Sequence, residues 1–116
     1  MGELFIVLLH SATNAHIHHW LTSSFSQHMA LGTFYEEMPD LVDALVEATM
    51  GVTGEKPVFP NLYVHPAEDP LEEIETLKAY FDENRSILPP NTEIQNLADA
   101  VGDLIDSTIY KLKFLH

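Results

Sequence analysis

The sequence predicts an all-α protein, four helices packed as a bundle with a long crossover between the second and third. Three observations predict it. Apolar residues recur at helical spacing in four separate segments, and no segment alternates apolar and polar residues as a half-buried strand does. The one long stretch punctuated by glycine and proline, residues 51–69, falls between the second and third segments. A chain of 116 residues suits a single domain over 1–116, which on folding hides about two thirds of its unfolded surface.

The first helix is predicted over residues 2–21. Phe5, Leu9, Ala12, His16 and His19 step by 4, 3, 4 and 3 and line one face. The two histidines continue that inward stripe, whereas His10 and His18 fall off it and are expected at the surface. Thr22-Ser23-Ser24 interrupts the pattern, and Ser24 with Gln27 forms an S-x-x-Q capping box that opens a second helix over residues 25–50. Its seam is Leu31, Tyr35, Met38, Val42 and Leu45, with His28 at its start and Gly51 as the expected C-cap. Pro39 deletes one backbone hydrogen bond but leaves the apolar stepping in phase, which predicts a kink and not an end.

Residues 51–69 carry Gly54, Pro57, Pro60 and Pro66 with the aromatics Phe59 and Tyr63, and read as an extended, packed crossover. Asp69-Pro70 then supplies an N-cap and a first-turn proline, followed by Glu72 and Glu73 at the positive helix end. This third helix is predicted over residues 70–86, burying Leu71, Ile74, Leu77 or the stem of Lys78, and Phe81. Pro89-Pro90 breaks it. Asn91 or Thr92 caps a fourth helix over residues 92–115, whose inner face is Ile94, Leu97, Val101, Leu104, Thr108 or Ile109, Leu112 and Leu115. Lys111 and Lys113 complement its negative end.

Composition narrows the function. Five basic residues against eighteen acidic ones give a formal charge of −13, which repels phosphate backbones and anionic lipid and attracts cations. Direct nucleic-acid binding and membrane binding are therefore not expected. The absence of cysteine removes disulfides, thiolate ligands and cysteine nucleophiles, so any metal must be held by imidazole and carboxylate. The apolar run Leu4 to Leu9, behind the acidic Glu3, is too short for a secretory signal, and no stretch approaches the ~20 apolar residues that span a bilayer. A cytoplasmic protein is expected.

The residues able to do chemistry form a sparse row: His16, His19 and His28 about the helix junction, then Asp43 and Glu47. The two acids are an i,i+4 pair on one helical face and can share a cation. On a continuous helix His28 and Asp43 lie roughly 22 Å apart at ~1.5 Å per residue, so one ion cannot touch both within one chain. A second copy running the other way would bring its acids to the first copy's histidines, making the site intersubunit and a symmetric dimer its smallest unit. The plainer readings are that His16 and His19 are packed histidines, and that Asp43 and Glu47 belong to a solvated acidic stripe with Glu36 and Asp40. Ser23 and Ser24 read as capping residues, Trp20, Phe34 and Tyr35 as core packing, and His65 as structural or exposed.

The run His19-Trp20, then His28, then Asp43-x-x-x-Glu47 resembles the ferroxidase motif of the mini-ferritins, the Dps-like branch of the ferritin-like superfamily. Residues 9–51, with the terminal run from Ile109 to Leu115, are more closely similar to short Dps-like proteins encoded by bacteriophages. The resemblance implies a ferritin-like bundle with Fe, Zn or Mn at a two-fold interface: His16 or His19 with His28 from one subunit, Asp43 and Glu47 from the other. Ferroxidase activity is the implied chemistry. His16 meets the twelve-residue spacing to His28 found in that family, and His19 sits in the His-Trp dipeptide, so either can be the first ligand. Gly32 stands where the family has a further acid, which points to a one-metal site or none, and the basic DNA-binding tail is missing. The alternative is a non-enzymatic helical interaction protein of a phage.

Overall fold

A three-residue turn sets the first hairpin. In the computed structural model, which describes residues 1–116, α1 (Gly2–Leu21) and α2 (Phe25–Thr53) are separated by Thr22-Ser23-Ser24. Ser24 caps α2 by accepting from the Gln27 amide at 3.3 Å. Only half of the predicted capping box forms, because the Gln27 side chain turns to accept from the Thr22 hydroxyl at 2.7 Å. Helix α3 (Pro70–Asn84) starts as predicted, with the Asp69 carboxylate accepting from Glu72 N and a proline in the first turn. It ends two residues early, in a 3-10 turn at Arg85–Ile87, and α4 (Thr92–Phe114) follows. The fold is all-helical, as predicted.

Long-range hydrogen bonds fix the topology. Helix α2 returns along α1, and the crossover, residues 54–69, then travels back along α1: Val58 packs on Gly2, whereas Tyr63 and Val64 reach Asn14. Helix α3 opens near Asn14, where Glu73 meets it, and brings Tyr80 beside Glu3, so it runs antiparallel to α1 and parallel to α2. The Ser26 hydroxyl donates to Leu115 O, which places the end of α4 at the α1–α2 turn. Helix α1 packs on α2 and α3, and α4 packs on the same two. That is a four-helix bundle with one lengthwise crossover.

Phe5, Phe34 and Phe81 are fully buried at the centre with Leu8, Leu31, Met38, Leu45, Ile74, Ile94 and Ile105. Each contributes about 1.5–3 kcal/mol by burial alone. Helix α2 continues through Pro39. It ends at Gly54 and not at Gly51: Gly54 adopts φ 70°, the left-handed conformation that glycine takes without a Cβ clash, and its amide caps Met50 O at 2.8 Å. Between α3 and α4, Lys78 lies 3.1 Å from Asp106 and 3.3 Å from Asp82. Partial burial works against the Lys78 charge, but hydrogen bonds and charge from Asp106 and Asp82 outweigh it and hold the ammonium above its ordinary range.

The inner face of α1 differs from expectation by one position. Leu4, Leu8, Ser11, Ala15 and His18 are buried beside Phe5 and Ala12, whereas Leu9 is exposed. His18 is thus a core residue and not a surface one, and its Nε2 has no hydrogen-bond partner. His16 and His19 sit half-buried at the edge of the stripe instead of within it, and His10 is half-buried too. At the other end, Leu115 lies beyond α4 and is exposed.

Candidate functional site

The α1–α2 junction gathers three of the histidines. The His19 and His28 rings stack at 3.7 Å with 18° between their planes. His19 Nδ1 lies 2.7 Å from His28 O, and His28 Nδ1 lies 3.0 Å from His19 O. A carbonyl only accepts, so both Nδ1 atoms carry a proton and donate. The exchange has a local cause. The last carbonyls of a helix have no intrahelical donor, and His19 O in the last turn of α1 is one of them; the His28 ring caps it.

His16 completes the group. Its ring stacks on Tyr35 at 3.9 Å and 7°, lies 4.4 Å from Trp20, and meets His19 edge-on at 6.0 Å. Gly32 provides the seat for His19: a Cβ there would touch the ring at 3.4 Å from Cε1. The position where the mini-ferritins carry an acid is therefore filled by an imidazole packed on backbone. Trp20, predicted to pack in the core with Phe34, is instead 68% exposed, because residue 20 follows the buried stripe onto the outer side of the helix. Leu21, Phe25 and Met29 are exposed beside it, and Phe114 and Leu115 at the end of α4 are exposed as well.

Asp43 and Glu47 lie exposed on the outer face of α2, about four and five turns beyond His28, and the chain does not bring them to the histidines. No three histidine or acidic side chains of one chain converge so as to hold a metal ion. What one chain does present is two imidazoles whose Nδ1 protons are committed to carbonyls. In that tautomer Nε2 is the nitrogen with a free lone pair, the state in which histidine ligates metals. The donor set therefore fits a cation, provided further ligands come from outside the chain.

Sequence reasoning missed Asn14, a buried amide on the α1 face that meets the crossover and α3. Its signal was a polar residue one turn from Ser11 on an otherwise apolar stretch. His65 is exposed, as one of its two readings had it.

Junction and topology together define a small four-helix bundle protein with an imidazole cluster at one hairpin. The chain belongs to the family of unknown function DUF5856, whose model matches residues 19–112 and thus takes in His19, His28, Asp43 and Glu47 but not His16. It is similar to an uncharacterized 14.6 kDa protein in the mobD-ri intergenic region of Enterobacteria phage T4, with 29% identity over 108 residues, 87% of this chain and 80% of that protein. No solved structure matches the chain. None of its helices is long and apolar enough to cross a membrane.

Proposed function

We propose that this protein is a self-associating bundle of the ferritin-like, Dps-like kind that binds a transition metal where two copies meet. The observation that carries the reading is the reciprocal His19–His28 pairing, which fixes both rings and leaves both Nε2 atoms without a partner in the chain. His16 or His19 with His28 would ligate from one subunit, and Asp43 and Glu47 of the other would neutralise the cation. The outward face of α2 supports this arrangement, because it carries His28 and the apolar Phe25 and Met29 at one end and the acids at the other. Two such helices packed antiparallel put each imidazole end against an acidic end. Nitrogen and carboxylate donors together suit Fe(II), Zn(II) or Mn(II). With Fe(II) as substrate and dioxygen or peroxide as the oxidant, the reading extends to ferroxidase activity in the host cytoplasm.

The test uses the full chain, stripped with chelator and titrated with Zn(II) and, without oxygen, Fe(II). About one or two ions are expected per two-fold site, in a dimer or larger assembly by solution mass. His28→Ala and the surface change Asp43→Ala should each abolish uptake, and comparing His16→Ala with His19→Ala identifies the first ligand. Uptake by both Asp43→Ala and His28→Ala equal to the parent's, or a monomer, overturns the reading. A second reading, a helical interaction protein without metal, is favoured by the exposed apolar rim of Trp20, Leu21, Phe25, Met29 and Phe114, since contiguous exposed apolar surface marks contact sites. Assembly without metal uptake selects it.

A further inference from the structure

A cavity of about 330 Å3 opens between α1, α3 and the crossover, at the small end of the size range of ligand pockets. It is remote from the histidine junction in chemistry and in lining. Val7, Leu62, Val64 and Leu77 give it apolar walls, and Glu3 and Glu73 supply its negative charge; His10 also lines it, forms no ion pair with either acid, and no lysine or arginine is present.

The polar wall is built, not incidental. Asn14, only 5% exposed, donates from Nδ2 to Val64 O at 3.2 Å and to Glu73 Oε1 at 3.0 Å, and accepts from the Tyr63 hydroxyl at 2.8 Å. Glu73 Oε2 accepts from Ala67 N at 2.6 Å. These bonds fix the half-buried Glu73 carboxylate against the cavity, yet they are all neutral donors. The ion pairs of the protein are Lys78 with Asp82 and Asp106, and Arg85 with Asp99, so neither Glu73 nor Glu3 has a cation. A partly desolvated carboxylate without a counter-charge attracts one from solution. At the mouth, burial first and then the charge of Glu3 push the Tyr80 hydroxyl up, so Tyr80 stays a neutral donor beside that carboxylate.

We propose that this cavity binds a small organic cation, an ammonium group carried on a compact apolar body. The ammonium would lie against Glu73, with Glu3 adding negative charge at the mouth, and the body against Val7, Leu62 and Leu77. A bare metal ion fits less well: it would find only two acids, both Glu73 oxygens already accepting hydrogen bonds, and no use for apolar walls.

The experiment is titration of the 15N-labelled full chain at neutral pH with 2-phenylethylamine, and in parallel with 2-phenylethanol, its uncharged counterpart. Saturable amide shifts are expected in residues 7–14, 62–64 and 73–80, with the alcohol binding about tenfold more weakly because it forgoes the charge-assisted contact. Glu3→Gln, at an exposed position, should weaken the amine and leave the fold and the alcohol unchanged. Glu73→Gln should weaken it further. Equal binding of amine and alcohol overturns the proposal, as does parental binding by both variants. Shifts confined to the outer acidic face of α2 overturn it too, since they report counter-ion association alone. The proposal stands apart from the metal reading, and metal uptake at the histidines is scored separately.

Discussion

The two hairpins of the bundle are each tied by nitrogen donors reaching across the turn, and they differ in what the tie leaves over. Between α3 and α4, Arg85 reaches Gln95 Oε1 and Asp99 Oδ1, both at 2.9 Å, and Gln95 returns a bond to Pro89 O. A guanidinium is always charged and offers no lone pair, so that junction is purely structural. Between α1 and α2, His19 and His28 close the turn with one nitrogen each. The other nitrogen of each ring keeps a lone pair without a partner in the chain. A histidine that caps a helix is thus not excluded from ligating a metal, because the cap sets the tautomer that ligation needs.

The largest expected effect falls on the histidine tie. His28→Ala leaves His19 O without its cap and should cost about 1–2 kcal/mol in urea unfolding, with a Tm drop near 4–8 °C per kcal/mol. His19→Ala should cost a similar amount, and the double variant less than the sum, because the two rings share one pair of bonds. Strict additivity would show that the stacked pair is not a unit. A smaller change of opposite sign is expected one residue away: His18→Leu replaces a buried ring whose Nε2 has no partner and should gain about 1 kcal/mol. Loss of stability there would mean that His18 is satisfied in solution. The smallest effect is at the second hairpin, where Arg85→Met should cost about 0.5 kcal/mol, since Asp99 is largely exposed, and should leave metal uptake untouched. A cost equal to that of His28→Ala would erase the contrast.

Element ends were legible wherever a residue has only one good use. Ser24, Asp69-Pro70 and Pro89-Pro90 mark starts and breaks that the structure shares to within a residue or two. Glycine was ambiguous at the end of α2, because Gly51 and Gly54 both can cap and only backbone geometry at the crossover decides. The face of α1 was misread for a physical reason. Residues 4–9 are apolar without interruption, so they set no phase, and stepping from Phe5 through Leu9 fitted as well as stepping from Leu4 through Leu8. That single-position shift moved His18 inward and left His16 and His19 at the edge. The meeting of His19 with His28 followed from the short turn, whereas the hydrogen bonds that each ring donates to the other's carbonyl depend on ring orientation. The cavity was invisible, since Asn14, Tyr63 and Glu73 are joined only by folding.

Gly2 couples the start of the chain to that cavity. A Cβ at this position would collide with the backbone carbonyl of Val58, so the crossover passes through space that any other amino acid would occupy. The first turn of α1 works as a keyway for the crossover segment that goes on to become the roof at Leu62 and Val64. Access to the chamber beneath is therefore governed in part from the very start of the helix, by an atom that is not there.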